Sequence, residues 1–335
     1  VMVAAALMGK RTFTATSSHG LALMHEVLHW AAGCRLPIVM INANRALGPP
    51  WNINTEQTDS LSQRDTGWMQ VYCSTNQEVL DMVIQSYGIA ERINLPIMIC
   101  MDGFLLTHTV EPVIIPTQEE VDNFLPPYKP AFKISTNKPF SFGTHHSPDY
   151  YMELRKNIAD AFEAAINVIK EVNSDFSKKF GRGYDLIETY RIDDAETILI
   201  TNGTTVQTAK IAIDNLRLKK EKAGLVNLRF IRPFPVSELF LALRHAKRIA
   251  VLDRSFTGNQ GGILAQELKS ALYNAGDALV EKPVIHSFIA GLGGRDITVE
   301  TIEQIFSAVK NAKNENSKGR FHFNITDWIG VKDEY

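Results

Sequence analysis

The sequence is poor in the features that would point to a membrane, to disulfide bonds or to nucleic acid. Its 335 residues include three cysteines, Cys34, Cys73 and Cys100, whose spacing fits neither a disulfide framework nor a metal-binding CxxC clip. Apolar runs such as LPIVMINA (36–43) fall short of the roughly 20 residues that a membrane helix needs. The net charge of −2 provides no basic field. We therefore expect a soluble, cytoplasmic protein with reduced thiols and with neither nucleic acid nor a membrane as partner.

Complete motifs for several common cofactors are also missing. GLGGRDIT (291–298) breaks the GxGxxG spacing of a dinucleotide-binding turn, which disfavours a nicotinamide-dependent dehydrogenase. TGNQGG (257–262) lacks the lysine of a phosphate-binding P-loop. His25 and His29 lie one helical turn apart, a spacing that can chelate zinc, but we expect them to flank an interface rather than to bind a metal. The chain is thus predicted to contain no metal site.

Short β-rich runs alternate with amphipathic helices along most of the chain. The apolar runs LPIVMINA (36–43) and LPIMICM (95–101) stand on either side of a helical pattern at 76–93, an order typical of βαβ units. A second alternating block begins at ETILITNG (196–203). This pattern predicts an α/β fold of two domains with mostly parallel sheets. The predicted parts are a first domain at 1–146, which includes an extended proline-rich strap at 102–146, a connecting helix at 147–190, a second domain at 191–312 and a polar tail at 313–335 that packs on a partner.

Three polar residues follow the first predicted strand. Ser17, Ser18 and His19 lie between that strand and the N-terminus of a helix. Free backbone N–H groups and the helix dipole favour an anionic or polar group at such a position. The alternative is that these residues simply cap the helix. Both interpretations stay open on the sequence alone.

Arg45 directly follows the strand end INAN and opens a long polar loop. Ligands of α/β sheets bind beyond the carboxyl ends of strands, and a guanidinium is well shaped to hold a small carboxylate. The alternative is a surface arginine paired with Asp59 or Asp65. The stiff, partly apolar residues that follow Arg45 are predicted to form the wall of a binding loop: Gly48, Pro49, Pro50, Trp51 and Asn52.

Long stretches of the chain resemble one enzyme family. The segment from RTFTATSSHGLALMHEVLHW to NQEVLDMV (11–83) closely resembles the α subunits of the 2-oxoacid:ferredoxin oxidoreductases, above all the pyruvate:ferredoxin oxidoreductase (pyruvate synthase) branch. The likeness continues through DGFLLTHTVEPVIIPTQEEVDNFLPPY (102–128), IRPFP (231–235) and GLGGRDIT (291–298). It implies a thiamine-diphosphate pyrimidine-type domain followed by a transketolase C-terminal-like domain.

The resemblance also implies a reaction and a set of partners. The expected activity is oxidative decarboxylation of pyruvate to acetyl-CoA and CO₂, or the reverse, with ferredoxin as electron acceptor. Thiamine diphosphate and Mg²⁺ are expected to be shared with a β subunit, iron–sulfur clusters to lie on γ- and δ-type subunits or fused domains, and coenzyme A to be the co-substrate. Arg45 is then the residue that binds the substrate carboxylate, and Ser17, Ser18 and His19 are assigned to cofactor binding.

The catalytic set is expected to be incomplete in this sequence. The family's glutamate that activates the cofactor should precede Val1, and a substrate-contacting threonine should lie further upstream. Two alternatives to a pyruvate enzyme stay open. One is a family member that acts on another 2-oxo acid or on oxalate, because one arginine can bind any small carboxylate. The other is a non-catalytic scaffold subunit of such a complex.

Overall fold

The computed structural model describes residues 1–137, 139, 141–274, 283–311 and 326–332. The strands are Phe13–Thr16 (β1), Val39–Asn44 (β2), Met69–Cys73 (β3), Ile97–Asp102 (β4), Ile187–Tyr190 (β5), Thr197–Thr201 (β6), Ala223–Leu228 (β7), Phe230–Arg232 (β8), Arg248–Asp253 (β9), Val284–Ile289 (β10) and Thr326–Trp328 (β11). The helices are Met2–Leu7 (α1), Ser18–Leu23 (α2), His25–Gly33 (α3), Thr58–Leu61 (α4), Asn76–Ile93 (α5), Gln118–Phe124 (α6), Pro148–Phe180 (α7), Thr205–Leu218 (α8), Val236–Leu243 (α9), Ile263–Asn274 (α10) and Val299–Asn311 (α11). The predicted α/β fold with two mostly parallel sheets is confirmed.

The first sheet has the strand order β1-β2-β4-β3-β8. Strands β1 to β4 are parallel, and β8 pairs antiparallel with β3. Every residue of β3 is buried, which is typical of a parallel strand covered by helices on both faces. Because parallel strands all end at one edge of the sheet, the residues that follow β1, β2 and β4 lie close together there.

The second sheet has the order β11-β10-β9-β6-β7-β5 and is parallel except for β5. The sequence predicts one strand at 224–231, but the structure divides this run between the two sheets. Strand β7 belongs to the second sheet, whereas β8 joins the first. The sequence of this run does not reveal such a crossing, because the residues on both sides of Arg229 are buried.

The polar tail predicted at 313–335 lies partly outside the described residues. In the part that the structure describes, Thr326–Trp328 pairs in parallel with β10 and so extends the second sheet. The Trp328 ring also packs edge-on against Phe256, with the ring centroids 5.5 Å apart. This portion therefore packs on its own chain, and packing of the remaining tail on a partner stays a prediction.

The long helix α7 connects the two halves of the chain and covers the first sheet. Pro148 in its first turn and Gly181 after its last residue, at φ +70°, are the expected start and stop signals. Its buried residues follow the helical period and pack with α5 and the first sheet: Ile158, Ala161, Ala165, Ile169 and Val172.

The strap predicted as extended at 102–146 contains one helix that the sequence interpretation missed. Helix α6 begins with a capping box, in which the Thr117 hydroxyl accepts from the Glu120 amide and the Glu120 carboxylate accepts from the Thr117 amide. The TxxE signal was therefore present in the sequence. The high proline content around it obscured this short helix.

Arg229 joins the two halves of the molecule through a buried ion pair. It lies between β7 and β8, and its guanidinium donates to Glu78 in the first turn of α5 and to Glu188 on β5. The side chains of Arg229 and Glu78 are only 4% and 2% exposed. The Ser74 amide and hydroxyl also donate to Glu78, at 2.8 and 2.7 Å. These contacts fix α5 of the first sheet relative to the strands of the second.

Candidate functional site

A buried carboxylate organises the edge at which β1 and β2 end. Asp59, in α4, has no exposed surface. Its two oxygens accept hydrogen bonds of 2.7–3.1 Å from five donors, the amides of Ser18, Arg45 and Ser60 and the side-chain amides of Asn42 and Asn44. Burial raises the pKa of Asp59 to about 6, while these hydrogen bonds, with that of Asn42 the strongest among them, oppose the rise. Asp59 thus ties two strand ends to one point.

The turn between β1 and α2 is held against the segment that follows β2. The Ser17 hydroxyl donates to the carbonyl of Ala43 at 2.7 Å, and the Ser18 hydroxyl donates to that of Ala46 at 2.5 Å. Ser18 is fully buried and has a φ of +48°, a strained conformation for a residue with a side chain. Ser18 therefore supports the loop from beneath, whereas Ser17 keeps some exposed surface at the edge.

The loop after β2 is closed at its base and braced at its tip. The Ala46 amide donates to the carbonyl of Asn54 at 3.3 Å. His19 accepts from the Gly48 amide at 3.2 Å, and its ring lies 4.6 Å from that of Trp51. The residues predicted as the loop wall form the half-buried or exposed part of this closed loop: Gly48, Pro49, Pro50, Trp51 and Asn52.

The glycine-rich turn after β10 packs directly on this loop. The Asn52 side-chain amide donates to the carbonyl of Gly293 at 3.0 Å, and the Gly294 amide donates to that of Thr55 at 2.9 Å. Gly294 has a φ of +80°, and a Cβ atom there would lie 2.3 Å from the Cβ of Asn54. Only glycine fits this close approach. The turn that lacks a dinucleotide motif thus braces the candidate binding loop.

Arg45 lies half-buried at the base of the closed loop. Its Nε is buried without a hydrogen-bond partner, and no carboxylate among the described residues pairs with its guanidinium. Asp59 accepts only the backbone amide of Arg45, while Asp65 lies 3.6 Å from Arg232. The two ion pairs considered as the alternative for Arg45 do not form. The guanidinium therefore has donors available for a ligand.

The sequence interpretation missed a second buried carboxylate, Asp102, which ends β4. One of its oxygens accepts from the side chains of Gln57 and Thr55, at 3.1 and 3.3 Å. The other accepts from the amide and hydroxyl of Thr204, at 2.8 and 2.5 Å, and lies 3.4 Å from the guanidinium of Arg254. Burial lowers the pKa of Arg254, and Asp102 opposes this. Asp102 is the last residue of β4, and Arg254 directly follows β9. A polar residue at the end of a predicted strand is the sequence signal that would have identified both.

Asp253, at the end of β9, caps the start of α10. Its carboxylate accepts from the amides of Leu264 and Ala265, at 2.7 and 3.2 Å. Burial raises the pKa of Asp253 to about 7, against the opposing effect of these hydrogen bonds. A raised pKa in the folded state means that folding favours the protonated acid. The free energy of unfolding should therefore decrease as the pH rises from about 4 to about 7.

Asp253→Asn should weaken this pH dependence. The variant keeps a side-chain oxygen for the α10 amides but has no charge to bury. Between pH 5 and pH 8 we expect the wild-type chain to lose roughly 3 kcal/mol more of its free energy of unfolding than the variant, because about two pKa units are involved at 1.36 kcal/mol each. Urea unfolding at both pH values measures this difference. Equal losses in the two proteins would contradict it.

The HEVLH segment at the start of α3 matches the HExxH pattern of zinc proteases in its letters. The rings of His25 and His29 meet edge-on with centroids 5.1 Å apart, and His25 Nδ1 lies 2.5 Å from the Gln63 side-chain oxygen. Within the described ranges, no group of three or more histidine, cysteine or acidic side chains is arranged to hold a metal. That this segment binds no metal stays a prediction.

The three cysteines are free thiols, and all three are buried. Burial raises the pKa of Cys73 and of Cys100, so these thiols stay protonated and unreactive. Among the described helices, none combines the length and the apolar character needed to cross a bilayer.

Comparisons with known proteins match both halves of the chain. A family model described as "Pyruvate flavodoxin/ferredoxin oxidoreductase, thiamine diP-bdg" matches residues 1–174, and one described as "Pyruvate:ferredoxin oxidoreductase core domain II" matches residues 195–302. A solved structure of 2-oxoglutarate:ferredoxin oxidoreductase from Magnetococcus marinus has the same fold, with a TM-score of 0.63 at 18% identity. That likeness covers 92% of this chain but only 55% of the solved chain.

Two curated relatives are similar over most of their length. Pyruvate synthase subunit PorA of Methanothermobacter thermautotrophicus is 46% identical over 99% of this chain and 82% of its own. Ketoisovalerate oxidoreductase subunit VorA of Pyrococcus horikoshii is 49% identical over 92% of this chain and 78% of its own. The resemblance inferred from the sequence motifs is confirmed at the level of the family. On both the family match and these identities, the chain belongs to the pyruvate flavodoxin/ferredoxin oxidoreductase family, in its thiamine-diphosphate-binding part.

Proposed function

We propose that the chain is the substrate-binding α subunit of a thiamine-diphosphate-dependent 2-oxoacid:ferredoxin oxidoreductase, and that its substrate is pyruvate. Arg45 is the observation that carries this proposal. Its half-buried guanidinium lacks a carboxylate partner among the described residues and lies at the edge where α/β sheets bind ligands. Two parallel N–H groups of such a fork match the two oxygens of a small carboxylate. Arg45 therefore holds the 2-oxo acid by its carboxylate and leaves its keto carbon free to react.

Thiamine diphosphate fits the same edge of the first sheet. The Ser17 hydroxyl donates its proton to a carbonyl, so its lone pairs are available to accept from the amino group of the pyrimidine ring. His19 keeps exposed surface beside it and contributes one face of an aromatic wall with Trp51. When bound, thiamine diphosphate supplies the nucleophilic carbon and the electron sink that decarboxylation requires. The residues of this chain bind and orient the substrate next to it.

Other subunits complete the proposed enzyme. Two apolar side chains of the candidate binding loop are strongly exposed, Trp51 at 74% and Ile53 at 60%, as is Leu23 at the end of α2, at 88%. Apolar exposure of this kind is typical of a surface that a partner covers. In the proposed complex, a β subunit covers this edge and holds the diphosphate and Mg²⁺, further subunits carry iron–sulfur clusters, ferredoxin accepts the electrons and coenzyme A accepts the acetyl group.

The loop wall supports a small substrate. It carries no charged residue from Gly48 to Asn54, and it contains the bulky Trp51. The relatives include a pyruvate synthase subunit and a ketoisovalerate oxidoreductase subunit at similar identity. Because Trp51 is 74% exposed and not fixed by a packed core, a branched 2-oxo acid is the second candidate.

Steady-state kinetics of the complex test the proposed function. The chain would be purified with its native partner subunits, and coenzyme-A-dependent reduction of a low-potential dye would be measured with pyruvate, 3-methyl-2-oxobutanoate, 2-oxoglutarate and oxalate. We expect the highest kcat/KM with pyruvate. A higher value with the branched acid would assign the second candidate, and no dye reduction with any of the four would refute the proposed enzyme class.

A further inference from the structure

The polar contact that holds Arg45 is made by its backbone. The described residues provide no hydrogen-bond or ion-pair partner for its side chain, so no polar contact at the far end of the side chain fixes its direction. The backbone amide of Arg45, by contrast, donates to the buried carboxylate of Asp59 at 3.1 Å. The direction in which the guanidinium projects thus depends on the group that holds this amide.

Asp59 connects that amide to the β1–α2 turn and to the end of β2. One carboxylate oxygen receives the amides of Arg45 and Ser18 and the side chain of Asn42, so the ends of β1 and β2 share one acceptor. The other oxygen receives Asn44 and the Ser60 amide, which locks the carboxylate in rotation. An ionised carboxylate offers two acceptor oxygens and has no donor of its own. No other side chain combines these two properties.

We propose that Asp59 is a positioning residue for substrate binding, which sets the Arg45 guanidinium and the β1–α2 turn in the arrangement that receives the 2-oxo acid. The inference rests on the proposed role of Arg45. Asp59 does not touch the substrate, because it is fully buried beneath the turn. Its effect reaches the substrate through the Arg45 backbone and through Ser18, whose neighbours Ser17 and His19 face the edge.

Replacing Asp59 with asparagine tests this role with little change in shape. The asparagine oxygen can still accept from Arg45, Ser18 and Asn42. Its NH₂ group then faces the Asn44 side chain and the Ser60 amide, which are themselves donors. We expect the KM for the 2-oxo acid to rise by about tenfold, the size that one lost charge-assisted hydrogen bond produces. The KM for coenzyme A should stay within about twofold of its wild-type value.

Asp81→Asn is the matched control. Asp81 is also a fully buried carboxylate of the first half, but it pairs with Arg182 and Tyr184, away from the loop. The melting temperature of the complex should fall in both variants, whereas the KM for the 2-oxo acid should rise only with Asp59→Asn. A rise of equal size in both variants, or a parallel rise in the KM for coenzyme A, would overturn the positioning role.

A double-mutant cycle separates this inference from the proposed function of Arg45. If Asp59 acts mainly through Arg45 and in smaller part through Ser18, the change in kcat/KM that Asp59→Asn causes should be several times smaller when Arg45→Ala is already present. Full additivity of the two effects would refute the positioning role while leaving Arg45 as the carboxylate-binding residue. No effect of Arg45→Ala by itself would instead refute the proposed function. If Asp59→Asn does not assemble, Asn42→Ala, which removes one donor to the same oxygen, takes its place in the cycle with the same criteria.

Discussion

Replacing Arg45 with alanine is expected to raise the KM for the 2-oxo acid by about a hundredfold, with a much smaller change in kcat. The guanidinium has no hydrogen-bond or ion-pair partner among the described residues, so the variant breaks no polar contact of the fold. It removes two charge-assisted hydrogen bonds to the substrate carboxylate, each about 1.5 kcal/mol or more, which together correspond to roughly a hundredfold in affinity. Dye reduction by the purified complex at varied 2-oxo acid concentration measures the effect.

Two further variants show whether the rise in KM depends on the planar shape of the guanidinium. Arg45→Lys keeps the charge but not the planar fork, so its KM should lie between those of the wild type and of Arg45→Ala. Arg64→Ala removes another arginine near the loop, one that pairs with Glu267, and should leave the KM within about twofold. Unchanged turnover and KM in Arg45→Ala would favour a non-catalytic scaffold subunit.

The position of Arg45 could be predicted because two sequence signals agree, namely the apolar pattern of a buried strand and the rule that α/β sheets bind ligands at strand ends. A buried parallel strand ends in INAN, and ligands of such sheets bind at strand ends, so a polar residue at that point is a candidate without knowledge of the rest of the fold. The same rule applies to Asp102, which follows the run LPIMICM, but its meaning depends on Arg254 from the other sheet. The sequence does not show which two strand ends from different sheets face each other.

Asp59 could not be recognised from its own neighbourhood. It lies in a one-turn helix within a loop that lacks both helical and strand periodicity, and the sequence offered it only as an ion-pair partner of Arg45. Its role comes from the return of this loop beneath the ends of β1 and β2, where it meets amides that are distant in the chain. The same limit of sequence-based prediction applies to Ser17, Ser18 and His19. The strand-to-helix turn was predictable, whereas the burial of Ser18 beneath the loop was not.

The two halves of the molecule meet at several places, two of which bear on the candidate binding loop and on the junction between β7 and β8. At one place the glycine-rich turn braces the candidate binding loop through Asn52 and Gly294. At another, Arg229 connects α5 to β5 and to the strand junction. The loop geometry that places Arg45 therefore depends on the second half staying docked on the first. The Arg229 ion pair is a deeply buried charged link between them, as is the pair of Arg254 and Asp102.

Replacing Arg229 with methionine is expected to lower the free energy of unfolding by roughly 3 to 5 kcal/mol at pH 8. Methionine fills much of the same apolar volume, but Glu78 is then a buried carboxylate with only the two Ser74 donors left. The loss comes from a buried carboxylate that no longer faces a guanidinium. Urea unfolding of the wild-type chain and the variant at pH 8 measures it.

A second substitution separates the unpaired charge from the lost packing. Arg229→Met combined with Glu78→Gln removes both members of the buried pair, so no isolated charge remains and less than half of the loss should persist. Arg191→Met is the control for an exposed pair, since Arg191 and Asp214 are 49% and 44% exposed, and it should change the free energy of unfolding by less than about 1 kcal/mol. If Arg229→Met destabilises the chain no more than Arg191→Met does, the buried pair does not hold the two halves together.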